Sequence, residues 1–196
     1  MNEKRNYRMR RRAESQEETR QRIVEATMQL HEELGPRATS ISAIADRAGV
    51  QRLTVYRHFP DEAAVFAACT GEWGRRNPPP DPSQWESVVD PAKRISAALA
   101  AFYAYYAATR RMWSVAHREA PDVPVLQPVL AEYDHLLADQ AAALAPGRRG
   151  SKAHKRAVAT IRHALSFPTW ESLQGQGLDD KEKLALVEAW LEGVMR

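Results

Sequence analysis

The sequence predicts an all-α fold of about nine helices: a small three-helix head carrying a helix-turn-helix, followed by a larger helical body. Three observations carry this. Apolar residues recur at three- and four-residue spacing along most of the chain, with no sustained apolar/polar alternation and no Asn-Gly hairpin signal. Glycines and prolines sit mostly between the periodic stretches. The run Asn77-Pro78-Pro79-Pro80-Asp81-Pro82 cannot be helical, because proline lacks a backbone donor and forces its predecessors into extended conformations. It divides head from body as a stiff spacer.

Residues 1–14 read as a basic, disordered arm. The first helix begins near Ser15, whose spacing to Glu18 fits a capping box. Ile23, Ala26, Thr27, Leu30 and Leu34 form its inner face, and Gly35-Pro36 ends it, with Gly35 as a left-handed cap. The second helix runs from about Ile41 to Ala48, capped by Thr39 or Ser40, and Gly49 permits the turn after it. A short third helix, about Arg52–His58, completes a head over residues 15–60. Asp61 caps a connecting helix within 61–76, and a Pro-rich linker occupies 77–83.

The body, 84–196, opens with an Asp90-Pro91 helix start. The helix that follows holds Ile95, Leu99, Phe102, Tyr103, Tyr105 and Tyr106, is apolar on nearly all sides, and belongs at the centre. Met112–Glu119 reads as a separate short helix closed by Ala120-Pro121. Pro124–Leu144 is the next helix, and Pro146-Gly147 breaks it. A long helix from about Ser151 meets Pro168, which kinks or ends it. Asp179 and Glu182 form a second capping-box pair ahead of a last helix with Leu184, Val187, Trp190, Leu191 and Val194.

Composition narrows the function. Hydrophobic residues make up 44% and charged residues 27% of 196, enough for a sizeable core. The longest apolar run, Ala97–Ala108, falls well short of the roughly 20 residues a membrane span needs. No secretory signal is evident, and a single cysteine, Cys69, excludes an intrachain disulfide and a Cys-based zinc site within one chain. A cytoplasmic setting fits. Charge is uneven: residues 1–60 carry 12 Lys/Arg against 8 Asp/Glu, and the remainder 16 against 17. Lys4, Arg5, Arg8, Arg10, Arg11 and Arg12 lie in the first twelve positions. A basic head points to a polyanion partner, or is a solvated tail that aids solubility. No Gly-rich phosphate loop, His-Glu-x-x-His, Gly-x-Ser-x-Gly or Cys/His pair is present, so no catalytic residue, cofactor or metal site is predicted.

Ile41–Tyr56 has the layout of a helix-turn-helix DNA reader: small Ala45 for close packing, Gly49 for the turn, Val50 and Val55 as core plugs. The longer stretch Arg22–Phe66 resembles the N-terminal domain of TetR-type (TetR/AcrR) regulators. The residues that carry the resemblance are Ile23-Val24-x-Ala26, Leu30, Gly35, Thr39-Ser40-Ile41, Ile44-Ala45, Ala48-Gly49-Val50, Thr54-Val55-Tyr56 and His58-Phe59. It covers about a quarter of the chain. Gln51-Arg52-Leu53 replaces the family's usual Ser-Lys-Gly, and Glu62 replaces a frequent lysine. His31 stands where an aromatic residue is common and reads as a core or domain-contact residue.

The resemblance implies that the third helix enters the major groove. Gln51, Arg52, Leu53 and Arg57 then face base edges, and Thr54, Tyr56 and His58 face phosphates. Thr39 and Ser40, at a helix N-terminus, are further phosphate candidates. Such readers work as two-fold dimers on palindromic DNA; the last two helices, through Ile161, Leu165, Trp170, Leu184, Val187, Trp190 and Leu191, supply the surface. These residues equally close the monomer's own core. In the body, Phe102, Tyr103, Tyr106, Met112, Trp113, His117, Phe167 and Trp170 are the candidate lining of a pocket for a small organic ligand, or ordinary core. The implied function is a ligand-released transcriptional repressor. The alternative is a basic-tailed architectural or sequence-tolerant DNA-binding protein without an effector.

Overall fold

A computed structural model describes residues 2–195, with side chains for 6, 7 and 9–193. The side chains of Lys4, Arg5, Arg8 and Val194 lie outside the described residues. Among the described residues there are ten α-helices, one short 3-10 turn and no strand. None of these helices is long and apolar enough to cross a membrane.

The chain divides into two compact units. The first holds residues up to Pro78 together with Arg118–Val125, so these eight residues, expected in the body, group with the head. Helix α1 spans Asn2–Leu34. It has no break at Ser15, and the basic segment expected as a disordered arm is continuous with it. The reason is compositional: no Gly or Pro falls between 2 and 34, and Arg, Met, Gln and Glu are good helix formers. Arg10 and Glu14 form an i,i+4 ion pair at 3.1 Å where a helix start had been expected. The capping box is therefore not formed, and Thr19 instead bonds the Ser15 carbonyl at 2.9 Å.

After α1 come the 3-10 turn Pro36–Ala38, α2 (Ile41–Ala48), α3 (Arg52–His58) and α4 (Glu62–Arg76). Ile23, Val24, Ala26 and Leu30 of α1 meet Ile41, Ile44, Ala45 and Ala48 of α2, with Val55, Phe59 and Val65 closing the core. Arg47 of α2 grips Glu33 of α1 through two bonds of 3.0 and 2.7 Å. Asp61 caps α4 by accepting from the Ala64 N–H at 2.7 Å.

The second unit contains α5 (Ser83–Glu86), α6 (Pro91–Glu119) up to His117, α7 (Leu126–Leu144), α8 (Lys152–Leu165), α9 (Phe167–Gly175) and α10 (Asp180–Met195). Helix α6 is uninterrupted, so the separate helix expected at Met112 does not exist. No Gly or Pro breaks the stretch, and Thr109 satisfies its own hydroxyl on the Tyr105 carbonyl at 2.6 Å. Its buried face carries Ile95, Leu99, Phe102, Tyr103 and Tyr106. Trp85 of α5 covers Phe102 at 6.0 Å between ring centroids.

The α8 helix stops at Ser166, and Pro168 sits in the first turn of α9, where its missing N–H costs nothing. The Asp179/Glu182 capping box forms in both directions, at 2.8 and 2.9 Å. Ile161, Leu165, Trp170, Val187 and Leu191 are fully buried within the single chain, so they close the chain's own core. Leu184 is half-buried, and Leu186 and Trp190 are exposed on α10.

Candidate nucleic-acid interface

The head is built around one tight turn. Ser40 caps α2 by accepting from the Ala43 N–H at 3.1 Å. Gly49 adopts φ 66°, ψ 40°, the left-handed region that penalises a side chain. The Val50 N–H then reaches the Ala45 carbonyl at 3.0 Å and the Gly49 N–H the Asp46 carbonyl at 3.2 Å, which satisfies carbonyls at the end of α2. Arg22 of α1 donates to the Ala48 carbonyl at 3.3 Å. The chain leaves this turn directly into α3.

Helix α3 is held by little more than Val55, its one fully buried residue, and by Phe59 just beyond it. Burying a valine contributes about 1.5–3 kcal/mol. Arg20 of α1 lies over the Phe59 ring at 4.9 Å. The rest of α3 faces outward. Gln51, Arg52, Leu53, Tyr56 and Arg57 are exposed, and Thr54 and His58 are half-buried. Leu53 is 65% exposed, an apolar side chain on a face otherwise made of donors and cations. Tyr56 is no interior ring: its hydroxyl accepts from Arg52 at 3.3 Å, and the guanidinium lies 5.7 Å from the ring centre. That contact limits the freedom of Arg52 before any partner arrives.

The two candidates ahead of α2 differ from the rest. The Thr39 hydroxyl is half-buried and donates to the Gly35 carbonyl at 2.8 Å, so its proton is committed inside the head. Ser40 is exposed, but its oxygen serves the cap.

Sequence reasoning missed the residues that clamp the approach to α2. The carboxylate of Glu119, the last residue of α6, accepts from the Arg37 N–H at 2.9 Å. Arg118 approaches Glu119 at 3.3 Å, and Arg37 pairs with Asp122 at 2.8 Å. Gly35 lies directly beneath Glu119, at φ 89° and ψ 157°. This is not the left-handed cap expected there, but a region open essentially to glycine alone. The clamp joins positions 82 apart, so spacing held no signal for it. His31, buried beside Phe66 and 3.6 Å from the Cys69 sulfur, is held neutral: burial lowers its pKa to about 4 against the opposing charge of Glu119.

The body holds a cavity of about 320 Å³ walled by Trp113, His117, Tyr133, Asp134 and Phe167, with Leu130 and Leu137 on its apolar side. Three of the eight candidate pocket residues reach it: Trp113, His117 and Phe167. Phe102, Tyr103, Tyr106, Met112 and Trp170 are not on its wall. Tyr103 and Tyr106 instead donate to the Ala164 and Leu165 carbonyls at 3.1 and 2.8 Å, binding α6 to the end of α8. Tyr133, which sequence reasoning left out, donates to the Tyr106 hydroxyl at 3.0 Å and packs 4.3 Å from Trp113. His117 stacks on Phe167 at 5.1 Å, and burial depresses its pKa against the charge of Glu171.

Comparison with known proteins agrees with the geometry of the head. Residues 23–69 match the family model described as bacterial regulatory proteins, tetR family. The HTH-type transcriptional repressor KstR of Mycobacterium tuberculosis is 39% identical over 59 residues, which make up 30% of this chain and 27% of KstR. The whole fold is similar to a TetR-like transcriptional regulator from Rhodococcus sp. RHA1, with a TM-score of 0.64 at 20% identity over 87% of this chain and 92% of that one. A tetR-family regulator from Streptomyces coelicolor gives a TM-score of 0.61 at 16% identity over 91% and 79%. The Gly49 turn and the outward-facing α3 lie within the segment, 23–69, that matches the tetR family of bacterial regulatory proteins, and the match to KstR spans about a quarter of that protein's length.

Proposed function

We propose that this chain is a ligand-responsive transcriptional regulator, a repressor, which binds a palindromic DNA operator as a homodimer and is released by a small organic ligand. It would act in the cytoplasm. The observation that carries the reading is α3: a helix anchored by Val55 and the adjoining Phe59, offering Gln51, Arg52, Leu53, Tyr56 and Arg57 outward on a module matched to this family. Arg52 suits a guanine O6/N7 edge, Gln51 an adenine edge and Leu53 a thymine methyl, at about 1–3 kcal/mol per good bidentate contact. Arg57 suits a base edge or its rim, and Thr54, Tyr56 and His58 suit the phosphates beside them. Ser40 keeps a hydroxyl at the α2 N-terminus; Thr39 acts by holding the α1–α2 connection rather than by touching DNA.

One head spans too few base pairs to be selective, so two act together across a dyad. The surface left for this is the outer face of α10 with Leu186 and Trp190, since the other apolar residues of α8–α10 are used inside the protomer. The cavity beside Trp113, Tyr133 and Phe167 is of a size and chemistry for a small, largely apolar ligand oriented by the Tyr133 hydroxyl and His117. Its effect on the head would run through α6, the one helix shared by both units, to Glu119 and Arg37. Selection of bound sequences from random duplex DNA tests the reading. A single two-fold symmetric motif supports it, and recovery of unselected sequence supports a sequence-tolerant binder.

A further inference from the structure

We propose that the basic turns at the start of α1 form a second grip on duplex DNA, on the phosphate backbone adjoining the segment that α3 reads. The proposal rests on the DNA-reading function above and adds a site which that function does not require. Because α1 is one helix from Asn2 to Leu34, its first turns are placed by the rest of it and do not wander as a tether. A groove of about 520 Å³ separates α1 from α3, with Ala13, Gln16 and Arg20 on one side and Thr54, Arg57 and His58 on the other. The stripe of α1 turned towards α3 is therefore centred on Gln16.

At 3.6 residues per turn, positions 12 and 9 lie within about 40° of Gln16, whereas position 11 lies about 140° away. Arg12 thus continues the α3-facing stripe one turn beyond the groove, and Arg11 points off it. The neighbours differ in the same sense: Arg10 is paired with Glu14 at 3.1 Å, and Arg11 lies 6.0 Å from the Tyr7 ring centre. Arg12 is exposed. Glu17 lines the groove beside Arg20 and Arg57, whereas residues 4–13 carry no acidic side chain, so the seat for the backbone is the basic turn before the groove. Six of the first twelve residues are Lys or Arg against one Glu, the charge complement of a polyphosphate strand.

The test measures operator affinity of the full chain against salt concentration, using the duplex recovered by selection, for wild type, Arg12→Ala, Arg12→Lys and Arg11→Ala. Arg12→Ala should reduce the steepness of log K against log[salt] by about 1, leave base preference unchanged and be rescued by Arg12→Lys. Arg11→Ala should leave the steepness intact. An unchanged slope in Arg12→Ala overturns the proposal, and so does an equal drop in both alanine variants, which would describe a tether without helical register. These outcomes are read with selective binding intact. A wild-type protein that ignores every duplex sinks the function above instead.

Discussion

Gly35→Ala tests the clamp between the end of α6 and the head. Gly35 sits at φ 89° and ψ 157°, where a residue with a Cβ pays about 1–3 kcal/mol in backbone strain. The new methyl would also fall inside the Glu119 carboxylate, which must swing away and release the Arg37 N–H it holds at 2.9 Å. A hydrogen bond to a charged acceptor contributes about 1.5–3 kcal/mol. The substitution should therefore lower the opening free energy of the head by about 2.5–6 kcal/mol. Glu119→Ala removes the second contribution alone. On that background Gly35→Ala meets no carboxylate and should cost only the backbone part. The double-mutant cycle then shows a coupling of about 1.5–3 kcal/mol. Hydrogen exchange at the Ile44 amide, in the middle of α2, reports this free energy without assuming that the two units unfold together. Additive single effects, or a Gly35→Ala head within about 0.5 kcal/mol of wild type, would refute the clamp.

Further expectations follow from buried groups and from α3. His31 has its pKa lowered by burial to about 4, so the unfolded chain binds the extra proton first as pH falls. The stability it leaves intact above pH 6.5 should erode between pH 6.5 and 4, by up to roughly 3 kcal/mol, and the pH profile of His31→Leu minus that of wild type should show it. Tyr106→Phe strands the Leu165 carbonyl and the Tyr133 hydroxyl, and should cost about 1–3 kcal/mol, seen as a melting-point drop of several degrees. Arg52→Ala should relax base preference at one position of each half-site by about 1–3 kcal/mol, read by competition between single-substitution duplexes. Uniform weakening across all sequences would instead make Arg52 a phosphate contact.

Much of the head was legible because its signals are local. Gly49 after an Ile41–Ala48 face, Asp61 before α4 and the Val55 plug each act within one or two turns, and the structure uses each as spacing suggests. The errors have physical causes. Ser15 and Glu18 imitate a capping box, but favourable helix formers on both sides carry the helix through them. Ala108–Met112 looks like a seam only because polar side chains interrupt an apolar run, and nothing there stops a helix. In α8 and α9 helical periodicity marked apolar residues correctly but could not say which neighbour buries them. Ile161 and Trp170 went inward, leaving Trp190 outside. Trp113, His117 and Phe167 were visible as an aromatic set, but Tyr133 joins them from a separate helix, α7, and Glu119 meets Gly35 across 84 positions. No periodicity reports such pairings.

The unbroken course of α6 has an evolutionary corollary. Its 29 residues extend about 43 Å without a joint, and each residue added or removed turns everything downstream by about 100°. A single-codon insertion between Tyr106 and Trp113 would rotate Trp113 and His117 away from Phe167 while Tyr106 stays bonded to the Leu165 carbonyl and every side chain of the protein remains present. Lineages that lengthen or shorten this rod should therefore do so in whole turns, three or four codons at a time, or abandon the packing of Trp113 and His117 on Phe167 altogether.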